Sequence, residues 1–242
     1  MPSIAAVFAH PDDETFSIGG TIAKYAARGV RWDLFCATDG DAGRSSGVPV
    51  GSKAELGALR RNELIAAARL LGVRGDITAR GYPDGGLAEV SPDQLVGDIV
   101  LFLRTARPEI VVTFGPEGAP NAHRDHRAIS RAATAAFFLA ESPTAYPEQR
   151  RSAHSAARLF YVSWRPPGEG SPHTVHPVPA TLRVDVRREL ELKRRAFDVY
   201  ATQRELRDRF ELLGIADEEL FAVVCDRTQR RDGMTDDLLA GL

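Results

Sequence analysis

The chain has 242 residues, 43% apolar and 26% charged, with 31 Lys and Arg against 33 Asp and Glu. That length suits one large α/β domain with its own core, and a formal charge of −2 gives no electrostatic reason to expect nucleic acid or an anionic membrane as partner. No apolar run reaches the roughly 20 residues that a bilayer span needs, and Cys36 and Cys225 lack metal-ligand spacing, so buried thiols in a reducing, cytoplasmic compartment are expected.

Ser3 to Ala9 reads as a strand, since it lacks the basic start of a signal peptide. Gly19 to Ala27 has helical apolar spacing and is closed by Gly29. A second strand, Trp32 to Ala37, leads into Thr38-Asp39-Gly40 and a Gly/Ser-rich loop over 41–53. Glu55 to Leu71 is helical and stops at Gly72. A weak strand, Ile77 to Arg80, precedes the turn Tyr82-Pro83-Asp84-Gly85-Gly86. Ser91 and Pro92 open a helix to about Thr105. Glu109 to Phe114 is the clearest strand, followed by Gly115-Pro116, the cluster His123-Arg124-Asp125-His126 and a helix over Ala128 to Leu139.

Strand and helix alternate four times up to Leu139, which predicts a three-layer α/β/α fold with a mainly parallel sheet. Beyond it the pattern loosens. Arg158 to Trp164 and Thr181 to Val186 read as strands around a proline-rich loop from Pro166 to Pro179, and Arg187 to about Arg209 as one long charged helix. No linker or repeat divides the chain, so a single domain over 1–242 is expected.

Two clusters carry chemistry: Ala9-His10-Pro11-Asp12-Asp13-Glu14 after the first strand, and His123-Arg124-Asp125-His126 after the fourth. In open parallel sheets ligands bind beyond the carboxyl ends of the strands, where strand order reverses. In a Rossmann-like order that point lies between strands one and four, so the two clusters should face each other. A dinucleotide site needs a glycine-rich turn after strand one. Three carboxylates stand there instead, and Gly19-Gly20 falls inside the helix.

Two imidazoles and a carboxylate, with positions open to water, make a catalytic zinc site, and the same set suits iron(II). His10, Asp13 and His126 are the expected ligands. Asp12 is placed to act as general base. His123 can stabilise an oxyanion or protonate a leaving amine, and Asp125 can hold that imidazole in one tautomer. Taken singly, each cluster also reads as ordinary charged residues at a helix N-terminus.

At these residues the chain resembles the LmbE-like, PIG-L-type de-N-acetylases, metal-dependent enzymes acting on N-acetylglucosamine-containing compounds. The resemblance implies a Rossmann-like fold, zinc on His10, Asp13 and His126, Asp12 as base, and His123 with Asp125 as an electrostatic or acid pair. It further implies a small N-acetylated amino-sugar substrate and is compatible with a homo-oligomer. Arg44, in Asp39-Gly40-Asp41-Ala42-Gly43-Arg44, and Asp84 resemble substrate contacts. Arg60 and Glu63 resemble the family's Arg-x-x-Glu, which reads equally as a salt bridge. Lys193, Ala196, Tyr200 and Gln203 share a helical face. Tyr200 stands where the family usually carries His, so a packing role is expected for it. Arg124 replaces a common proline, a change that can redirect substrate charge preference.

The function expected is a zinc-dependent hydrolase that removes the N-acetyl group from an N-acetylglucosamine-type sugar or conjugate. The alternatives are a metal-dependent amidase on a thiol-sugar conjugate or natural-product intermediate, and a non-catalytic metal- or sugar-binding protein. Intact Asp12 argues against the last, because a pure binding site needs no spare base.

Overall fold

The structure is a computed structural model that describes residues 2–166, 175–228 and 237–242. Among these residues seven strands form one sheet: β1 (Ser3–Phe8), β2 (Arg31–Thr38), β3 (Ile77–Tyr82), β4 (Ile110–Phe114), β5 (Arg158–Ser163), β6 (Leu182–Asp185) and β7 (Glu218–Asp226). Their order is β3-β2-β1-β4-β5-β7-β6. Pairing is parallel from β3 through β5, whereas β7 runs antiparallel to both β5 and β6. The expected three-layer α/β/α architecture with a mainly parallel sheet is therefore observed. β1 and β4 are buried at every position, which is why, apart from Ser3 and Thr113, they read as apolar runs instead of alternating ones.

Among the described residues, five helices longer than one turn cover the sheet: α1 (Asp13–Ala27), α2 (Lys53–Leu70), α3 (Pro92–Ala106), α4 (Arg124–Leu139) and α5 (Leu190–Asp198). α3 packs on α4, while α1 packs on α5 and α2, giving the two outer layers. β1 and β4 are neighbours whose next strands, β2 and β5, lie on opposite sides, so the order reverses between them. Both His clusters leave the sheet at that point, as the topology argument requires.

α1 and α4 begin earlier than expected, at Asp13 and Arg124. The clusters themselves supply the helix starts. Asp12 is the N-cap of α1, and the His123 ring accepts from the Asp125 N–H at the start of α4. α1 kinks at Ile18 (φ −135, ψ 20), and the N–H groups of Gly20 and Thr21 then donate to the Glu219 carboxylate at 3.0 and 2.7 Å. Glu219 pairs in turn with Lys193 at 2.6 Å. Gly20 is glycine because a Cβ there would lie 2.7 Å from the Cβ of Val186.

The long helix expected from Arg187 to about Arg209 is a correction. It ends at Asp198, continues as a 3-10 stretch (Ala201–Leu206) and one helical turn (Arg207–Arg209), and closes in a wider turn (Phe210–Gly214). The Thr202 N–H donates to Glu63 at 3.0 Å instead of to a carbonyl one turn back. The face read from the sequence is nevertheless buried: Lys193, Ala196, Tyr200 and Gln203 all point inward. Most of the proline-rich loop from Pro166 to Pro179, positions 167–174, lies outside the described residues. Cys36 is a buried free thiol, and Cys225 is a half-buried one.

Candidate metal centre

Three groups converge beyond β1 and β4. His10 Nδ1 lies 3.2 Å from His126 Nε2, Asp13 Oδ1 lies 3.2 Å from His126 Nε2, and Asp13 Oδ2 lies 3.5 Å from His10 Nδ1. Ligand atoms held by a tetrahedral zinc at its usual bond lengths stand about 3.3 Å apart. The expected ligands are thus brought together at coordination spacing.

The outer nitrogens of both rings are tied down. His10 Nε2 lies 3.2 Å from Asp125 Oδ2 and 3.1 Å from Asp84 Oδ1, and His126 Nδ1 lies 3.3 Å from the Gly118 carbonyl. Those acceptors hold the ring protons on the outer side and leave two lone pairs facing inward, beside a carboxylate. Only a cation or a proton makes that arrangement favourable, so the residues present fit a divalent metal. Burial opposes charging His10, but hydrogen bonds to Asp125, Asp13 and Asp84 outweigh it and raise its pKa well above the ordinary value. Burial likewise opposes ionisation of Asp13, yet the two histidines draw its pKa far down.

His123 is close to the same point: its ring nitrogen and those of His10 and His126 lie within 4.8 Å of one another. The His123 Nδ1 accepts from the Asp125 backbone N–H at 3.2 Å. Burial, then repulsion from His10 and His126, lowers its pKa. A neutral ring with Nδ1 accepting carries its proton on Nε2.

Asp125 departs from the expected role. Its carboxylate accepts from the N–H groups of Gly85 and Leu87 at 2.7 and 3.1 Å and faces His10, so the carboxylate supports a metal-side imidazole, while the backbone N–H is what meets the His123 ring.

Asp12 sits at φ 108 and ψ −24, a strained backbone for a non-glycine residue at a functional site. The Arg60 guanidinium lies 3.2 Å from Asp12 Oδ2 and also donates to the Pro11 and Gly40 carbonyls. Gly40 (φ +68) has no room for a Cβ, which would fall 2.3 Å from Arg60 Nη1. Burial pushes the Asp12 carboxyl up to about 7, with Asp13 adding to the rise and Arg60 opposing it. Glu63 does not form the expected salt bridge with Arg60 and instead accepts from Thr202.

The cluster opens into a cavity of about 270 Å³ lined also by Arg60, Asp84, Asn121, Gln203 and Arg209. Asp84 reaches it as expected, tied to His10 and to the Ala42 N–H. Arg44 does not line it: its side chain is 88% exposed and lies 3.5 Å from Glu205. Arg124 is likewise at the surface, paired with Glu89. Arg209 and Asn121 were missed. Arg209 enters because the chain turns after Asp198, and helical spacing carries no signal of that turn. Tyr200, expected only to pack, is buried with its hydroxyl donating to Glu14 at 2.5 Å, while Glu14 lies 3.3 Å from the Asp12 N–H.

Comparisons with known proteins bear on the family and the fold. Residues 5–137 match the PIG-L family, described as GlcNAc-PI de-N-acetylase. A 1D-myo-inositol 2-acetamido-2-deoxy-alpha-D-glucopyranoside deacetylase of Rhodococcus erythropolis is 32% identical, over 81% of this chain and 79% of its own. Among solved structures, the N,N'-diacetylchitobiose deacetylase of Pyrococcus horikoshii aligns with TM-score 0.75 and 23% identity, covering 99% of this chain and 88% of that one. The 4-carboxy-2-hydroxymuconate hydratase GalB of Pseudomonas putida aligns with TM-score 0.77 and 20% identity, over 96% of this chain and 100% of its own. At that identity both structures speak to the fold alone. The match across more than half of the chain, together with the Rhodococcus relative, places this protein in the PIG-L family.

Proposed function

We propose that the protein is a metal-dependent hydrolase that removes the N-acetyl group from an N-acetylglucosamine-type sugar or sugar conjugate, with zinc as its metal and His10, Asp13 and His126 as the ligands. One observation carries this reading: the inner nitrogens of His10 and His126 face each other at 3.2 Å beside Asp13, with their outer nitrogens engaged elsewhere. A divalent cation bound there would acidify water and polarise the amide carbonyl.

The chain's own residues supply the rest. Asp12 lines the same cavity, takes a proton from the attacking water, and returns it to the leaving amine. Its strained backbone and its contact with Arg60 fix where that carboxylate points. His123 donates its Nε2–H to the carbonyl oxygen as negative charge develops there. Asp84 still has lone pairs after its contacts with His10 and Ala42, and accepts sugar hydroxyls.

Acetate release from methyl N-acetyl-α-D-glucosaminide by the zinc-loaded protein tests the reading. Release of one acetate and one amine per sugar is expected. A loaded, folded protein that releases none from any N-acetylglucosamine derivative would contradict it. The fold alone does not choose the reaction, since a hydratase shares it.

A further inference from the structure

A second cavity, of about 320 Å³, adjoins the metal-side cavity and shares with it the walls Phe16, Ser17, Phe114, Ala119, Pro120 and Leu213. Phe114 stacks on the His126 ring at 4.2 Å, so the second cavity begins against the candidate metal ligands themselves. Either cavity alone is at or below the lower end of the usual range for small-molecule sites, about 300–1,000 Å³.

The chemistry of the two compartments differs. Arg60, Asp84, Asn121, Gln203 and Arg209 bring hydrogen-bonding groups to the first. The second is lined by Val162, Trp164, Leu212, Leu213, Ile215 and Leu220. Its charged groups neutralise one another. Lys193 pairs with Glu219 at 2.6 Å, and Arg165 with Glu218 at 3.7 Å. The Ser163 hydroxyl is taken up by the Val178 carbonyl. A polyol or an anion would find few free partners there, whereas hydrocarbon would be well received. Leu212, 79% exposed, is a large apolar side chain left at its rim.

Resting on the proposed deacetylation, we infer that the second cavity receives the glycosidic partner of the sugar, and that this partner is an aryl or alkyl group. Acetyl removal itself needs no such compartment, because the acetyl group adds one methyl beyond the reacting carbonyl. The polar compartment holds the sugar hydroxyls, and the group on the anomeric oxygen extends along the shared lining to lie against Trp164.

The test compares kcat/KM for the methyl, phenyl, octyl and myo-inositol α-glycosides of N-acetylglucosamine with the zinc-loaded protein. Burying two or three carbons is worth about tenfold or more, so phenyl and octyl are expected to exceed methyl by at least about tenfold, chiefly through KM. Trp164→Ala and, at the exposed rim, Ala216→Glu are expected to bring the phenyl-to-methyl ratio near one. Equal values across the series, or a preference for the inositol glycoside, overturn the inference while leaving the deacetylase reading intact. A gain from lengthening the N-acyl chain on the methyl glycoside also overturns it, giving the cavity to the acyl group. Calorimetric binding of phenyl against methyl α-glucosaminide reads the same preference without turnover. Failure of every substrate therefore strikes the deacetylase reading, while equal affinities strike the inference.

Discussion

The Asp125 carboxylate lies 3.2 Å from His10 Nε2, 115 residues away in sequence, although His123 is only two residues before it. Asp125 thereby joins the two clusters, orienting a ring on β1's side from the start of α4. Asp125→Asn is expected to weaken metal binding about 10–100-fold, because such supports set the tautomer and basicity of a metal-side imidazole. Competition against a chelator of known affinity measures this. Unchanged affinity with a lowered kcat would instead return Asp125 to His123.

Asp12→Ala separates catalysis from binding. Metal content is expected to stay at that of the wild type while kcat falls about 10²–10⁴-fold, the usual worth of a general base. Turnover that survives the change would mean that another group takes the proton.

The same residue makes a prediction about pH for the metal-free protein. Its carboxyl is held up to about 7 in the fold, against about 3.9 in an unfolded chain. The folded state binds that proton more tightly, so Asp12's contribution is fully present below about pH 4 and is lost as pH rises through about 7. Asp12→Asn does not titrate there. Compared with wild type, the metal-free variant is expected to gain on the order of 1 kcal/mol or more between about pH 5 and 8. Urea midpoints across that range measure the difference, and a flat or reversed trend would contradict it.

Tyr200→Phe removes the hydroxyl that donates to buried Glu14, whose carboxylate in turn faces the Asp12 N–H. A loss of about 1–3 kcal/mol is expected for leaving a buried carboxylate short of a donor. A falling kcat at unchanged metal content would accompany it, since Asp12 loses support. Thermal melts and metal analysis check the two halves. A variant as stable and as active as wild type would make Tyr200 simple packing.

Lys193→Met leaves Glu219 buried without its cation, although the Gly20 and Thr21 N–H groups remain. Breaking one side of a buried pair costs about 3–5 kcal/mol. Equilibrium unfolding in urea should show a drop of that order, and a change within about 0.5 kcal/mol would mean the pair is idle.

The parallel core was legible because β1 and β4 carry nearly continuous apolar runs and each is followed by a cluster rich in ligand groups. That placement is enough to bring His10, Asp13 and His126 together across the reversal of strand order. What escaped the sequence depends on side-chain direction and on chain reversals. The turn at Asp84 to Leu87 captures the Asp125 carboxylate through backbone N–H groups, which no side-chain pattern announces. The chain after Asp198 keeps helical spacing through Gln203 yet leaves the helix, because Glu63 claims the Thr202 N–H. That turn delivers Arg209 to the cavity, while Arg44, promising by its motif, extends to the surface beside Glu205.

The role of the metal is tested most directly by stripping the protein with a chelator and following acetate release from methyl N-acetyl-α-D-glucosaminide. Activity is expected to vanish on stripping and to return as zinc is added back to one equivalent per chain. Undiminished turnover by protein shown to be free of metal would contradict the account at its root.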